Sequence, residues 1–211
     1  MPLSTFAIVS LVLFLSALAR SSLGFGDALI AMPLLALVTD IYTATAVVAL
    51  SATSTAIIIL WGNWHLLRLQ SAKRFFIAGT IGIACGLWIL KNVPQGLLKT
   101  MLGIILIAYG LYNLLRPQLF TIESDNWEYC FGFIAGILGG ACNAKGPPIV
   151  IFGMMRRWPP REFRIALQAY SFPLGVFVLL AHGYGGLWTV PVLELYIVAL
   201  PVIVLCESTA S

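Results

Sequence analysis

Four ionisable residues stand inside or at the edge of otherwise apolar runs: Arg20, Asp27, Lys145 and Glu194. A charge at the centre of a membrane helix costs about 2.5–3.5 kcal/mol on insertion scales, so each needs a partner, a wet cavity or a route to the interface. Two of them sit in Gly-rich interruptions. Asp27 follows Gly24-Phe25-Gly26, and Lys145 lies between Gly139-Gly140 and Gly146-Pro147-Pro148, two positions after Asn143. Each interruption leads to a Pro that opens a new apolar run. Pro33 follows Gly24 by nine positions, and Pro148 follows Gly139 by the same nine. A helix that starts after such a break presents free backbone N–H groups and a positive dipole end, and Pro suits its first turn. The chemistry this predicts is binding of an anion, reinforced by the Lys145 ammonium and the Asn143 amide. Asp27 is placed to cap the half-helix, to pair with Lys145 or to take up a proton. Hydroxyls follow each break, Ser51, Thr53 and Ser54 in the first half and Ser171 in the second, as hydrogen-bond donors or as helix–helix glue. Arg20 faces either the cavity or the headgroups. Glu194, near Pro191, is expected to be buried against a partner.

The composition says what kind of element holds these residues. In 211 residues, 60% are hydrophobic and 9% charged, with a mean hydropathy of +0.98. Soluble domains carry about 25% charged residues, so this chain has too few to cover a globular surface. That excludes a large soluble domain, a nucleotide-binding module and disorder, and it makes the lipid bilayer the first partner. A spanning helix takes roughly 20 apolar residues. The net charge of +4 sits mostly in loops between apolar runs, where it sets membrane orientation; no nucleic-acid partner is expected. Cys85, Cys130, Cys142 and Cys206 form no CxxC pair, which argues against a disulfide framework.

Apolar runs cover about residues 3–38 with the first break inside, 41–60, 75–90, 97–115, 127–157 with the second break inside, 163–182 and 187–206. Residues 25–38 are too short to span alone and are expected to be half of a broken helix. Ala17-Leu18-Ala19 has the form of a signal-peptidase site, but residues 1–5 lack the usual basic charge, so a retained first helix is expected. Residues 116–126 are the most polar stretch and the natural linker. Trp61, Trp64, Trp127, Trp158 and Trp188 near helix ends form an aromatic belt, and Arg156, Arg157, Arg161 and Arg164 a solvated basic loop. His65 and His182 lie at loop edges without metal-ligand spacing. No enzyme or cofactor motif is present, so neither catalysis nor a cofactor is expected.

The paired breaks divide the chain into a first repeat, 1–116, a linker, 117–126, and a second repeat, 127–211. Paired breaks in two halves are the best sequence pointer to a transporter substrate site at mid-membrane. The run from Gly24 through Asp27 to Pro33-Leu34-Leu35 resembles the signature of the TauE/SafE sulfite exporter family, also called the toluene-sulfonate uptake permeases. Gly136-Ile137-Leu138-Gly139-Gly140, continuing to Gly146-Pro147-Pro148, is similar to that family's second copy. Asp27 and Ala141 depart from the glycines of the family pattern. The resemblance implies two similar four-helix halves, a multi-pass protein of the bacterial inner membrane, and transport of sulfite, sulfonates or related small anions. With no ATP-binding motif, the expected mechanism is alternating access around the two breaks, with a proton as the candidate coupling ion. An anion channel, or a membrane subunit that moves nothing, is the alternative.

The fold class expected is therefore an all-α polytopic membrane protein of two helical repeats with broken helices, with about seven transmembrane segments of an expected eight. The second repeat is shorter by about one spanning helix and its loop. The missing helix is expected to lie beyond this sequence or to be supplied by a neighbouring subunit of a homo-oligomer. Counting every run as a single crossing, one side collects Arg68, Lys73, Arg74 and Arg116, and the other Lys91, Lys99, Arg156, Arg157, Arg161 and Arg164. Six against four sets no orientation. If the first segment enters and returns, the halves are inverted and the count changes.

Overall fold

The structure, a computed structural model, describes residues 3–23, 26–60, 73–115, 121–122, 124–158 and 160–210. Those residues form nine helices: α1 (Leu3–Leu23), α2 (Asp27–Val38), α3 (Ile41–Leu60), α4 (Lys73–Asn92), α5 (Gln95–Leu115), α6 (Trp127–Cys142), α7 (Gly146–Met155), α8 (Pro160–Tyr184) and α9 (Val190–Ala210). Three of them contain windows long and apolar enough to cross a membrane, Ile41–Ile58, Lys73–Asn92 and Gln95–Leu115. The all-helical expectation holds.

The two interrupted segments are hairpins, not kinked spanning helices. Leu13, Ser16 and Ala17 before the first break line the same narrow cavity as Asp27 and Ala31 after it. Helices that continued in one direction would carry those residues apart at 1.5 Å per residue. The second hairpin closes at its base. The Ile122 N–H donates to the Met155 carbonyl at 3.0 Å, Arg156 lies 3.6 Å from Glu128, and Phe131 packs on Phe152 at 5.4 Å between ring centroids. So α7 returns to the end of the bundle from which α6 set out. The expectation of half-helices holds; the expectation that each broken segment makes one crossing does not.

Local chemistry explains where the chain turns. The first tip passes through Gly26 at φ 103, a conformation that costs a residue with a Cβ. The second passes through Asn143 at φ 52, the non-glycine type best suited to the left-handed region. Its N–H donates to the Gly139 carbonyl at 2.9 Å, and the Ala144 N–H donates to Leu138 at 3.0 Å, which satisfies the end of α6. Helix α6 therefore runs straight through Gly139-Gly140, and the break is Asn143 to Lys145. Pro147 and Pro148 stand in the first turn of α7 as expected. Pro33 does not open its helix. It is the seventh residue of α2, whereas Pro148 is the third of α7, so the shared Gly-to-Pro spacing does not mark equivalent positions. Asp40 then caps α3, accepting from the N–H groups of Tyr42 and Thr43 at 3.0 and 2.9 Å.

Two apolar cores stack along the bundle. One, nearer the N-terminus, gathers Val9, Leu13, Met32, Leu35, Ile41, Leu98 and Val192. The other gathers Phe75, Ile83, Phe152, Leu167, Tyr170 and Val178. Beside the second core an ionic cluster marks what we call the basic end. Asp125 pairs with Arg74, at 3.4 Å, and with Arg156, and Tyr170 donates to Glu128 at 3.3 Å. The hydrogen bond from Arg156, followed by its positive charge, holds the Asp125 carboxyl below the usual carboxylate range. Helices α4 and α6 run parallel in the closest contact of the fold. Gly79, Gly82 and Gly86 of α4 face Gly132, Gly136 and Gly140 of α6 so tightly that a Cβ on Gly136 would run into the Gly79 carbonyl oxygen. With lipid on the outside, such small-residue seams supply the packing that water-driven burial supplies elsewhere. Helix α5 stands at the periphery, with Leu97, Ile104, Ile107, Leu111 and Leu114 exposed and Leu98 and Leu102 buried.

Candidate functional site

Both hairpin tips reach the middle of α3. At the first tip Arg20 donates to Asp27 at 2.5 Å and to the Ala52 carbonyl at 3.3 Å. The Arg20 and Asp27 side chains keep only 7% and 19% of their exposure, so this is an ion pair held inside the bundle. Asp27 is the first residue of α2, after Gly26; it pairs with Arg20 rather than with Lys145. Gly24 lies outside the described residues.

At the second tip Lys145 donates to the Asn143 side-chain oxygen at 3.1 Å. Its chain runs against Gly139, and its ammonium and the Thr53 hydroxyl of α3 both border Gly175 of α8. Any Cβ on Gly175 would come within 3.7 to 3.8 Å of both. Asp27, Arg20 and Lys145 are within electrostatic range of one another. The two tips thus bring three charges into one region of the bundle.

Two polar atoms here have no hydrogen-bond partner among the described residues. One is the Asn143 amide nitrogen, on a residue only 1% exposed, and the other is the Ser51 hydroxyl, on a residue 6% exposed. An unmatched buried donor costs about 1–3 kcal/mol, which a bound polar partner would return. Ser51, Thr55, Ser16 and Asp27 line the narrow cavity between α1, α2 and α3. The free N–H groups at the α7 end are thinned by Pro147 and Pro148, leaving Gly146 and Ile149, so the polar groups at this tip are mainly the side chains of Lys145 and Asn143.

Several residues stand elsewhere than expected. Ser54 bonds to Leu50 and to the Tyr196 hydroxyl of α9 at 2.6 Å, which ties two helices together. Gly140 belongs to the α4–α6 seam, and its carbonyl faces His182 Nε2 at 3.0 Å. That histidine is fully buried in the last turn of α8. Glu194 is exposed near the start of α9, not buried. Trp158 packs among Phe152, Phe163 and Tyr170 and is not part of an outward belt. Ser171 lies one turn before Gly175 on the same side of α8. His65, Trp61 and Trp64 are outside the described residues. Gly175 was missed because a glycine inside a helix carries no chemical group to notice; it borders both the Lys145 side chain and the Thr53 hydroxyl. Thr53 stood in the sequence among the hydroxyls after the first break, and the structure singles it out.

A protein-family model described as sulfite exporter TauE/SafE matches residues 9–206. The chain belongs to that family. As a TauE/SafE protein it is a multi-pass membrane transporter and not an enzyme, and the resemblance of the Gly24–Leu35 and Gly136–Pro148 runs to the family pattern is borne out. Neither the curated proteins nor the solved structures yield a match. For a TauE/SafE transporter the site has the expected character, charged groups at depth on the tips of discontinuous segments.

The ion pair at the first tip makes a stability prediction. Removing one partner of a buried pair costs about 3–5 kcal/mol, because the other charge stays buried alone. Arg20→Gln should therefore lower the unfolding temperature in detergent sharply, and Arg20→Gln with Asp27→Asn should recover most of the loss. Equal stability of all three proteins would place the pair in solvent.

Proposed function

We propose that this protein is a secondary transporter of small sulfur-containing anions, sulfite or organic sulfonates, which bind between the two hairpin tips. The observation that carries the reading is Lys145. It is a cation at the depth of both tips, hydrogen-bonded among the described residues only to a neutral amide. Asp27, by contrast, is already matched by Arg20. Membership of the sulfite exporter TauE/SafE family supplies the sulfur chemistry. Proton coupling through Asp27 requires that its pair with Arg20 open during the cycle.

Helix contacts support a two-repeat plan with inverted halves. Hairpin α1–α2 packs with α3 as α6–α7 packs with α8, and α1 packs along α9 as α6 packs along α4. The two central helices α3 and α8 also touch each other, so rocking of one half against the other would alter the space around Lys145. A passive channel has no specific observation in its favour. Counterflow of labelled sulfite and methanesulfonate in proteoliposomes tests the proposal. Saturable exchange is expected, with Lys145→Ala reducing it about tenfold or more and Lys99→Ala leaving it near wild type. Linear flux would mean a channel, and equal activity of the two variants would remove Lys145 from the site.

The hairpins also re-sort the loop charges. If both broken segments return to the end they left, the junctions at the basic end carry Arg68, Lys73, Arg74, Arg116, Arg156, Arg157, Arg161 and Arg164, and those at the other end Lys91 and Lys99. Eight against two is a decisive bias where six against four was none, and it turns the basic end to the cytoplasm. In a background stripped of native cysteines, a cysteine at position 91 should react with an impermeant maleimide on intact cells. One at position 157 should react only after the cells are opened. Labelling of both from one side would restore the single-crossing topology.

A further inference from the structure

We infer that the site between the tips selects for anions of a single negative charge, and that Asp27 sets this selection by cancelling one of the two cations. The inference rests on the anion-transport reading and adds the charge of the substrate. Among the described residues, the ionisable groups at the depth of both tips, other than the imidazole of His182, are Arg20, Asp27 and Lys145. Glu128, Arg156 and Asp125 belong to the ionic cluster at the basic end, and Glu194, Lys91 and Lys99 are exposed. The Arg20 guanidinium is committed to Asp27 and to the Ala52 carbonyl. The Lys145 ammonium donates to Asn143 and borders Gly175. With the pair closed, the three charges sum to one positive charge, carried on Lys145.

Two unmatched buried donors stand at the tips, the Asn143 amide on the residue to which Lys145 donates and the Ser51 hydroxyl in the Asp27 cavity. Hydrogen-bond donors help any oxyanion, whatever its charge, so they do not discriminate. The charge balance does. The desolvation penalty of an ion rises steeply with its charge, while a single fixed cation offers its attraction once. A monoanion leaves the buried site neutral. A dianion leaves an unpaired negative charge in a bundle where, beside Asp27, only apolar side chains such as Leu13, Ala31, Val48 and Ala52 and the neutral hydroxyls of Ser16, Ser51 and Thr55 face it.

The probes are methanesulfonate and sulfate, tetrahedral anions of nearly the same size that differ by one charge at pH 7.5. Each is used unlabelled to compete with labelled methanesulfonate in counterflow. For the wild-type protein, half-inhibition should need at least about tenfold more sulfate than methanesulfonate, a difference of about 1.4 kcal/mol. Asp27→Asn removes the cancelling charge and should narrow that ratio or reverse it. Sulfate competing as well as methanesulfonate in the wild-type protein, a measurement independent of any variant's folding, would overturn the inference. So would an unchanged ratio in an active Asp27→Asn protein. Absence of saturable flux with either anion would instead overturn the transport reading on which it rests.

Discussion

A charge buried in an apolar bundle must be matched inside the protein, and this constraint organises the molecule. Arg20 and Asp27 match each other. Lys145 is left with a neutral amide and the space beside Gly175. The tips that carry these groups are interruptions in helices, where backbone N–H and C=O groups also need partners, so they are tolerated only within protein or beside a wet cavity. Everything else in the fold serves to bury those tips. The α4–α6 glycine seam lets the second hairpin sit close to the first half, α3 and α8 wall the site, and the apolar outer face of α5 meets lipid.

The two tips are built differently. The first turns on a glycine and places its own carboxylate at the start of α2, where it already occupies the positive end of the helix. The second turns on an asparagine and begins its helix with two prolines, which removes backbone donors and leaves mainly side chains as its polar groups. A similar division of labour runs along the bundle. The basic end is held by an ionic and aromatic cluster that ties the linker, α4, α7 and α8 together, whereas the other core is apolar. The two ends of the bundle are therefore held by different kinds of contact.

Much of this was legible in the sequence. Gly, Pro and buried charge are punctuation with a local cause, so both interruptions, Asp27, Asn143 and Lys145 stood out. Direction did not. Whether a broken segment continues or returns depends on contacts between residues far apart in the chain, such as Ile122 with Met155 and Arg156 with Glu128. The loop-charge count inherited that gap. Pro33 misled for a related reason, since a proline inside a helix and one that opens it look alike without the preceding turn. The glycines at 79, 82 and 86 and at 132, 136 and 140 carried a readable small-residue spacing. It went unused because glycine was weighed as a breaker and not as a surface. Gly183, Gly185 and Gly186 after His182 put it at a loop edge in the sequence; α8 ends two residues later, at Tyr184, and the ring is nonetheless fully buried.

The central claim is that the middle of α3 and the middle of α8 meet beside Lys145, one from each half. A disulfide across that contact tests it most directly. In a cysteine-free background, Thr53→Cys with Gly175→Cys should cross-link on mild oxidation, because a Cβ at position 175 would lie 3.7 Å from the Thr53 hydroxyl oxygen. The cross-link should form more slowly when transported anion is present, and it should abolish counterflow until it is reduced. Failure of the pair to cross-link in a folded protein, or full transport by the cross-linked form, would contradict the account.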